Sequence, residues 1–554
     1  MKKILYTCFL GLLCLVGSTL KAQSKVAESP PDKDLVYQSG FPEQEGASSS
    51  APLGEGSALI YGELINPDSL SPLQLEVRPY YLDSKSDFMV QVMEPDLRVG
   101  ETFDGVMNPL VRKFSSSLSL GDRPGYFSIL LGGRALLEDF IVFPGDSLKV
   151  ELNLRQMDVL FAGEDAAFYE AQYAIGREAR RLAFDAPRQL IAKADSRILS
   201  TPGNLEKLEH FQGEFGSRLI VMSPGKESLD NLLLGLRSDN PLVIAQMDVL
   251  ESYSDKLDEQ EYELLEAQIL GGIHYSVLST FRKFHYPDFL ARFSDSEQAD
   301  YKSLILDSFR SFPEGDFGEG TRLVSKDYLN YALEKSMVTA LFEGRSLLGV
   351  VDSLYAGEMA EKLKTAYLSN YLSQLPKQPY VLEKYLEVVH TSPWKERIES
   401  LKRSHVPGGR VEPVVLVDLQ GNELTEEDLK GKPTLLYFYF SSCSHSATYF
   451  KDYLYPLYQE VKDLGVRLIS VSVDEDPAFW KSRIAKYSDP SLLNVNLRGQ
   501  SKKRWKEIYE IHGYPKIMFL DRDAHILSFD IRNLGTDQES LISEFMTLYK
   551  SELE

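Results

Sequence analysis

The spacing of apolar residues changes twice along this chain, and these changes limit what it can fold into. Residues 58–163 contain short runs in which apolar and polar side chains alternate, as at 148–152. Residues 164–407 repeat apolar side chains at helical spacing, and residues 411–554 alternate strand-like with helix-like runs. Period 2 is typical of strands with one buried face, and a period near 3.6 is typical of helices. We therefore predict a multidomain protein with an N-terminal all-β sandwich, a central all-α region and a C-terminal α/β domain.

The composition argues against several classes of protein. Apolar residues make up 43% of the 554-residue chain and charged residues 26%, which is close to the globular average and argues against a disordered or polytopic membrane protein. The chain has 82 acidic and 60 basic residues, a net charge of −22. Because such a surface repels phosphate groups, we expect no nucleic-acid partner.

The first 22 residues have the pattern of a secretory signal peptide. Lys2 and Lys3 precede an apolar run at 4–16, and the segment 17–22 that follows ends with a small residue, Ala22, at the expected cleavage point. The run is shorter than the roughly 20 residues that a spanning helix needs, so we expect cleavage after Ala22 and no integral membrane segment in the mature chain. Lipidation is the alternative, and it is disfavoured because neither cysteine of this segment follows a small residue. We predict an exported protein of the periplasm or cell envelope.

Composition and chain-breaking residues set the remaining predicted boundaries. Residues 23–57 are rich in Ser, Pro, Gly and Glu, which is typical of a flexible linker. The run Pro407-Gly408-Gly409 ends the helical pattern and is expected to be a hinge. The predicted units are a signal peptide (1–22), a linker (23–57), a β-sandwich domain (58–163), a helical domain (164–407) and an α/β domain (411–554).

The last unit begins with a strand-like run at 414–418 before a turn at 420–422, and its second strand has a distinctive pattern. Residues 434–440 are a run of seven residues without a charge, which is typical of a strand buried on both faces. Phe450, Leu454 and Leu457 then share one helical face, and Gly465 is placed to end that helix. The patterns that follow complete a predicted element order of ββαβααββα.

Cys443 lies between this strand and this helix. It is the single thiol of the mature chain, because Cys8 and Cys14 leave with the signal peptide. The N-terminus of a helix offers a positive dipole end and free N–H groups, and both favour the reactive thiolate. His445, two residues further on, would stabilise the thiolate when protonated. The alternative is that Cys443 is an inert, small apolar residue, as many free cysteines are.

The order of elements and several motifs resemble a thioredoxin-like domain of the TlpA/ResA type. The motifs are Asp428-Leu429-Lys430-Gly431-Lys432-Pro433, Cys443, Val473-Asp474-Glu475-Asp476 and Gly513-Tyr514-Pro515. Members of this family are envelope thiol–disulfide oxidoreductases, and the upstream layout resembles envelope proteins with a β-sandwich and a helical region before such a domain. The resemblance implies that Pro515 is a cis-proline facing the active cysteine. It also implies that Tyr514 offers backbone hydrogen bonds to a substrate chain.

The chain departs from that family at its central motif. The family's C-x-x-C is here Cys443-Ser444-His445-Ser446. A hydroxyl cannot attack a mixed disulfide, so Cys443 cannot complete a two-thiol cycle alone. Tyr437 also stands where the family often has a buried acidic residue.

Two functions remain open at the level of sequence. The first is thiol–disulfide exchange or isomerisation through Cys443, with client proteins of the envelope and an external thiol reductant as partners. The second is a redox-inactive binding or scaffold protein of the cell envelope. No metal and no cofactor are predicted, because the histidines form no H-x-x-x-H or H-E-x-x-H pair and no phosphate-binding glycine-rich loop occurs. The predicted site residues are Cys443, His445 and Ser446 as catalytic residues and Ser444, Tyr514 and Pro515 as substrate-binding residues.

Overall fold

The computed structural model describes residues 56–553, except for 66–70, 84–87, 104–105, 194–195, 197–199, 216–218, 510 and 512. The predicted signal peptide and almost all of the predicted linker therefore lie outside the described residues. All elements below belong to one compact unit, Leu53–Glu554.

Residues 57–162 confirm the prediction of an all-β region. In their described part, nine strands form a five-stranded sheet, in the order β4-β5-β1-β8-β9, and a four-stranded sheet, in the order β3-β2-β6-β7. The side chains of β8 alternate between buried and half-buried positions, as the pattern at 148–152 predicts. The strands are β1 (Ser57–Ile65), β2 (Leu73–Arg78), β3 (Gln91–Met93), β4 (Arg98–Phe103), β5 (Val106–Ser119), β6 (Gly125–Leu131), β7 (Arg134–Val142), β8 (Ser147–Asn153) and β9 (Asp158–Ala162).

The central region is helical, as predicted, and sequence-local caps begin several of its helices. The Asp258 carboxylate accepts a hydrogen bond from the Glu261 N–H at the start of one of them, which satisfies a donor that the helix leaves free. The α-helices are Ala166–Asp185, Asn204–Phe215, Lys226–Leu233, Pro241–Glu251, Glu259–Thr280, Tyr286–Arg292, Asp295–Ser311, Glu319–Val324, Lys326–Glu343, Leu347–Leu354, Gly357–Tyr371, Gln378–Leu386 and Trp394–His405. Shorter turns are the π-helical segment Phe281–His285 and the 3-10 helices Leu234–Leu236, Glu314–Asp316 and Leu372–Gln374.

Two short strands interrupt this helical region, and the helical periodicity did not indicate them. β10 (Arg188–Ile191) and β11 (Leu219–Met222) pair in parallel. Only Met222 of the two strands is buried, so their apolar residues give no alternating pattern that would mark a strand.

One hydrophobic core runs through the sandwich and the helical region. Tyr126 on β6 is buried between them, donates a hydrogen bond to the Val324 carbonyl (3.0 Å) and accepts one from the Lys326 N–H (2.8 Å). Arg123 forms two hydrogen bonds with the Glu358 carboxylate, of 2.7 and 2.9 Å. The β-sheets and the helices therefore stabilise each other.

The C-terminal region is the predicted α/β domain. Its described strands form one sheet of seven, in the order β13-β12-β16-β15-β14-β17-β18. The strands are β12 (Val415–Asp418), β13 (Glu423–Thr425), β14 (Thr434–Tyr439), β15 (Arg467–Ser472), β16 (Leu493–Leu497), β17 (Lys516–Leu520) and β18 (Ile526–Ser528). The helical segments are Glu426–Leu429, Ser444–Tyr449, Phe450–Leu454, Tyr455–Val461, Lys462–Leu464, Pro477–Lys481, Ile484–Tyr487, Gly499–Ile508, Ile531–Asn533 and Gln538–Leu553.

β14 confirms the prediction of a strand buried on both faces. It pairs in parallel with β15 and antiparallel with β17, and every one of its residues is buried. Leu436 and Phe438 belong to the core on one side of the sheet, while Leu435, Tyr437 and Tyr439 belong to the core on the other. Because both faces are covered, an uncharged run was the only pattern that this strand could have.

The predicted order ββαβααββα lacks two of the observed strands, β13 and β16. β16 was missed because Asn494 and Asn496 alternate with its apolar residues, and asparagine is rare in strands. Both asparagines are buried, and their amide groups donate to backbone carbonyls, including that of Asp474 (3.0 Å). The tertiary structure therefore supplies partners that the local pattern does not reveal.

The predicted hinge is hydrogen-bonded to the C-terminal sheet. The Gly408 N–H donates to the Ile526 carbonyl and the Ile526 N–H donates to the Gly409 carbonyl, both at 2.8 Å. The Val411 N–H continues this pairing with the Ala524 carbonyl (3.0 Å). These contacts tie the segment to β18, on the side of the sheet where the β17–β18 hairpin turns.

Candidate functional site

Cys443 is the N-cap residue of a helix that follows β14. Its backbone N–H donates to the Phe440 carbonyl (3.1 Å), which closes the turn between strand and helix. The helix, which we call the Cys443 helix, begins with Ser444–Tyr449 and continues through a π-helical segment to Val461. The thiol is partly exposed. It therefore lies at the positive end of the helix, in contact with solvent, as the sequence predicts.

The loop before β17 lies against the thiol. The Cys443 Sγ is 3.7 Å from the Tyr514 carbonyl oxygen, and the Tyr514–Pro515 peptide is cis, the geometry that the family resemblance implies. β17 pairs with β14 with Lys516 opposite Phe438, so the start of β17 meets the end of β14. The structure therefore brings Cys443, Tyr514 and Pro515 together.

Tyr514 is held in this loop by an aromatic contact. Its ring packs edge to face on Phe440, with the ring centroids 5.5 Å apart. Burial raises the pKa of Tyr514 to about 12, so its phenol stays neutral at neutral pH. The contact of Tyr514 with the thiol is made by its backbone carbonyl.

Ser446 is separated from solvent. It is fully buried, and its hydroxyl forms no hydrogen bond with any described residue, the Cys443 thiol included. The residue nevertheless occupies the third position of the Cys443 helix, towards which an N-cap side chain is directed. Ser444 and His445, by contrast, are exposed on the first turn of the helix.

Tyr437 takes the place of the acidic residue of the family and makes a different contact. Its hydroxyl donates to the Ser446 backbone carbonyl (2.9 Å). Its ring stacks on that of Tyr439 and packs at a tilt against that of Phe450, with centroid distances of 5.1 and 5.3 Å. Burial raises the pKa of Tyr437, which keeps the phenol protonated. Tyr437 therefore acts as a fixed hydrogen-bond donor beneath the site and not as a carboxylate that could accept a proton.

A buried carboxylate holds the loop in front of Cys443, and the sequence did not predict its role. Asp474 accepts hydrogen bonds from the Ser441 N–H (3.0 Å), the Ser441 hydroxyl (2.6 Å) and the Ser472 hydroxyl (2.7 Å). The Asn496 amide donates to the Asp474 carbonyl (3.0 Å). Ser441 lies two residues before the thiol, so this network fixes where the Cys443 turn begins. Asp474 is part of a motif that carries the resemblance, but its partners lie on three different segments.

The structure contains a group of side chains with the composition of a metal site outside this loop. Ligand atoms of Asp521, Asp523 and His525, in the turn between β17 and β18, lie within 4.8 Å of one another. The Asp521 carboxylate already accepts hydrogen bonds from the Asp523 and His525 N–H groups, both at 2.8 Å. Asp521 therefore stabilises the turn between the two strands, and we assign no metal to this group of three residues.

A central strand that leads through a cysteine turn into a helix, beside a cis-proline loop, defines the thioredoxin class of folds. Residues 431–526 match the model of a thioredoxin-like family. This segment contains both Cys443 and the Tyr514–Pro515 loop. The C-terminal part of the chain is therefore a thioredoxin-like domain, as the sequence predicts, preceded by a β-rich region and a helical region.

Solved structures from two bacteria are similar to this part of the chain. A thiol:disulfide interchange protein from Bacteroides sp. is 27% identical, with a TM-score of 0.24, over 27% of this chain and 95% of its own. The thioredoxin domain of a thiol-disulfide oxidoreductase from Bacteroides vulgatus is 26% identical, with a TM-score of 0.22, over 26% of this chain and 96% of its own.

None of the curated proteins compared with the chain is significantly similar to it. In the described part of the chain, no helix has the length and apolar character of a membrane span.

Proposed function

We propose that the protein carries out thiol–disulfide exchange or isomerisation on polypeptide clients through the single thiol Cys443. The observation that carries this proposal is the position of the thiol. It is partly exposed at a helix N-terminus, and its Sγ is 3.7 Å from the carbonyl oxygen of the loop that would align a client. A helix N-terminus favours the thiolate, which is the nucleophile in such exchange.

The proposed reaction has two steps. The Cys443 thiolate attacks one sulfur of a client disulfide, a bond forms between Cys443 and that sulfur, and the other client sulfur leaves as a thiolate. In isomerisation, another client thiolate then attacks the mixed disulfide and releases Cys443. In net reduction, an external low-molecular-weight thiol instead attacks the Cys443 sulfur, which breaks the bond to the client and releases the second client thiol. A second molecule of the external thiol then attacks the mixed disulfide formed on Cys443, which releases Cys443 and yields the disulfide of the external thiol.

The other site residues have positioning roles in this proposal. The Tyr514 backbone next to Pro515 would align the client chain, and the exposed Ser444 and His445 would contact it. His445 would also favour the thiolate when protonated. Ser446 fills the position of the missing second thiol, which is why an external thiol is required.

The first test is the rate at which iodoacetamide alkylates Cys443 at neutral pH. We expect native mature protein to react about tenfold faster than the same protein unfolded in urea, because a helix N-terminus favours the reactive form of a thiol. The unfolded chain is a matched control, since it contains the same single thiol without its surroundings. A Cys443→Ser variant should take up no label.

A native rate at or below that of the unfolded chain would rule out an activated thiol. It would favour the second candidate function, a redox-inactive binding or scaffold protein. That candidate draws support from one specific arrangement: the buried Ser446 and the protonated Tyr437 replace the two groups on which the two-thiol cycle depends.

We propose in addition that the protein is exported to the periplasm or cell envelope. The support comes from the amino-terminal sequence, with its charged start, apolar run and small residue at Ala22. Mass spectrometry of the protein from an envelope fraction should find an N-terminus at Gln23. An Ala22→Leu variant should be processed poorly, because cleavage needs a small residue there. An intact N-terminus in a cytoplasmic fraction would contradict the proposal.

A further inference from the structure

A pocket of about 340 Å³ lies between the four-stranded sheet and the central helices. Its walls come from β2, β6 and β7 on one side and from the helices Glu259–Thr280 and Lys326–Glu343 on the other. The volume is near the lower end of the roughly 300–1,000 Å³ that is usual for ligand sites. The pocket therefore suits a small molecule, and it is formed by other elements than the Cys443 site.

The lining of this pocket is acidic. Five acidic and two basic side chains line it, so its formal charge is −3 when all of them are ionised. The two basic side chains both contact the same carboxylate. Arg78 Nη1 is 2.7 Å from one Asp139 oxygen, and Lys326 Nζ is 2.6 Å from the other. These cations are thus engaged within the protein and are not free to pair with an incoming anion.

The helix that begins at the pocket is also largely closed to anions. The Lys326 N–H donates to the Tyr126 hydroxyl (2.8 Å), and the Tyr328 N–H donates to the Ser325 hydroxyl (3.4 Å). Two of the N–H groups that a helix N-terminus would offer an anion are therefore occupied. Asp327, in the same turn, places a negative charge where an anion would bind.

The backbone is distorted where Asp139 enters the pocket. Glu138 and Asp139 together lie opposite Ser128, because the register of β6 and β7 shifts at this point. Asp139 has a positive φ of 50°, a conformation that few residues other than glycine adopt, and its N–H donates to the Ser128 hydroxyl (2.9 Å). Such bulges often re-aim a side chain beside a functional site. Here the residue in the bulge, Asp139, forms ion pairs with both basic residues of the pocket, Arg78 and Lys326.

Asp327, unlike Asp139, forms no ion pair with a described residue. It accepts no hydrogen bond from any described residue, and Lys326 is its favourable charged neighbour. Burial raises the pKa of Asp327, and the nearby Asp139 acts in the same direction. The phenol rings of Tyr81 and Tyr275 line the same pocket, and the Tyr81 hydroxyl is held by the Asn330 amide (3.1 Å).

We propose that this pocket binds a small organic cation with an alkylammonium or guanidinium group, which pairs with Asp327 beside the rings of Tyr81 and Tyr275. A carboxylate supplies the countercharge, and aromatic rings attract cations through their negative faces. The proposal does not depend on thiol chemistry, so a Cys443→Ser variant should bind the cation unchanged.

Isothermal titration calorimetry of the full mature chain, at about 0.15 M salt to suppress non-specific attraction, tests this proposal. The probes are cadaverine and agmatine. Two control compounds match cadaverine in length. Glutarate is negatively charged, and a pentanediol with terminal hydroxyls is uncharged. We expect saturable binding at one site for at least one of the two cations, and none for glutarate or the diol.

Two aspartates in first helical turns supply the decisive comparison. Asp327→Asn removes the charge in the pocket, and we expect it to weaken cation binding about tenfold or more. Asp295→Asn removes an exposed charge from the first turn of the helix Asp295–Ser311, outside the pocket, and should change affinity less than about twofold. Thermal unfolding should show that both variants fold. If Asp327→Asn does not fold, Glu138→Gln at the exposed rim replaces it and should also weaken binding.

Three results would overturn the proposal. One is the absence of saturable binding for both cations. Another is tighter binding of glutarate than of either cation. The third is an equal loss of affinity in the pocket variant and in Asp295→Asn, because binding would then follow the overall negative charge of the protein.

Discussion

A Ser446→Cys variant is expected to reduce insulin disulfides at least about an order of magnitude faster than the unmodified protein, with dithiothreitol as the electron source. In the proposed mature chain Cys443 is the one thiol, so the proposed cycle needs an external thiol to release the mixed disulfide. In the variant, a second thiol at position 446 could attack the mixed disulfide from within the protein. Because an N-cap side chain is directed towards the third position of its helix, we expect a thiol at position 446 to come within reach of Cys443.

The fold should accept this substitution. The Ser446 hydroxyl is fully buried and forms no hydrogen bond with any described residue, so replacing it with a weakly polar thiol removes no partner. The matched control is the double variant Cys443→Ser, Ser446→Cys, which has one thiol at the buried position and should stay inactive. Activity of Ser446→Cys no higher than that of the unmodified protein would show that the site has lost more than its second thiol.

An Asp474→Ala variant is expected to lower the local stability of the thioredoxin-like domain by about 3 kcal/mol. The substitution leaves the Ser441 N–H, the Ser441 hydroxyl and the Ser472 hydroxyl without their carboxylate, and each unmet buried group costs about 1–3 kcal/mol. Hydrogen exchange of the β14 amides measures this loss, because a central strand exchanges only when its domain opens. A loss of this size corresponds to exchange about a hundredfold faster.

Two comparisons make this result specific. Glu475→Ala removes the neighbouring carboxylate, whose side chain is 74% exposed and pairs with Lys502 at the surface, and should change β14 exchange by less than tenfold. Exchange of β8, in the sandwich, should stay unchanged in both variants. If Asp474→Ala leaves β14 exchange within about tenfold of the unmodified protein, the carboxylate does not hold the Cys443 loop.

Sequence reasoning placed Cys443 between a buried strand and a helix because the signals for these elements are local. An uncharged strand, Cys443 and a helix with one apolar face follow each other within some 30 residues. The Tyr514–Pro515 loop was placed beside them only through the resemblance to a family. Residue spacing alone does not show that a carbonyl 71 positions away lies 3.7 Å from the thiol.

The Asp474 network shows why the rest could not be predicted. From sequence alone, a carboxylate in a polar segment is expected to be exposed, since charged residues are almost never fully buried unless they are paired. Its partners, Ser441, Ser472 and Asn496, come from the Cys443 loop, from β15 and from a strand that the pattern missed. Only the assembled sheet brings these groups together.

The pocket between the sandwich and the helices is a second feature that the sequence could not predict. Asp139 and Asp327 are 188 positions apart, and no sequence period relates them. The bulge that turns Asp139 inward has no glycine to mark it, because an aspartate takes the positive φ.

The sequence by itself determined the secondary-structure class of each region and the strand-to-helix turn that carries Cys443. The spacing of apolar residues and the helix caps, which specify these features, act over only a few residues. It also determined that the site lacks a second thiol, since Ser446 needs no structure to be recognised. The tertiary structure decided that the sandwich and helices share one core, that Ser446 is buried without a partner and that Asp474 holds the loop in front of the thiol. These features depend on which distant groups meet when apolar surface is buried, and that is a property of the packed chain and not of any local segment.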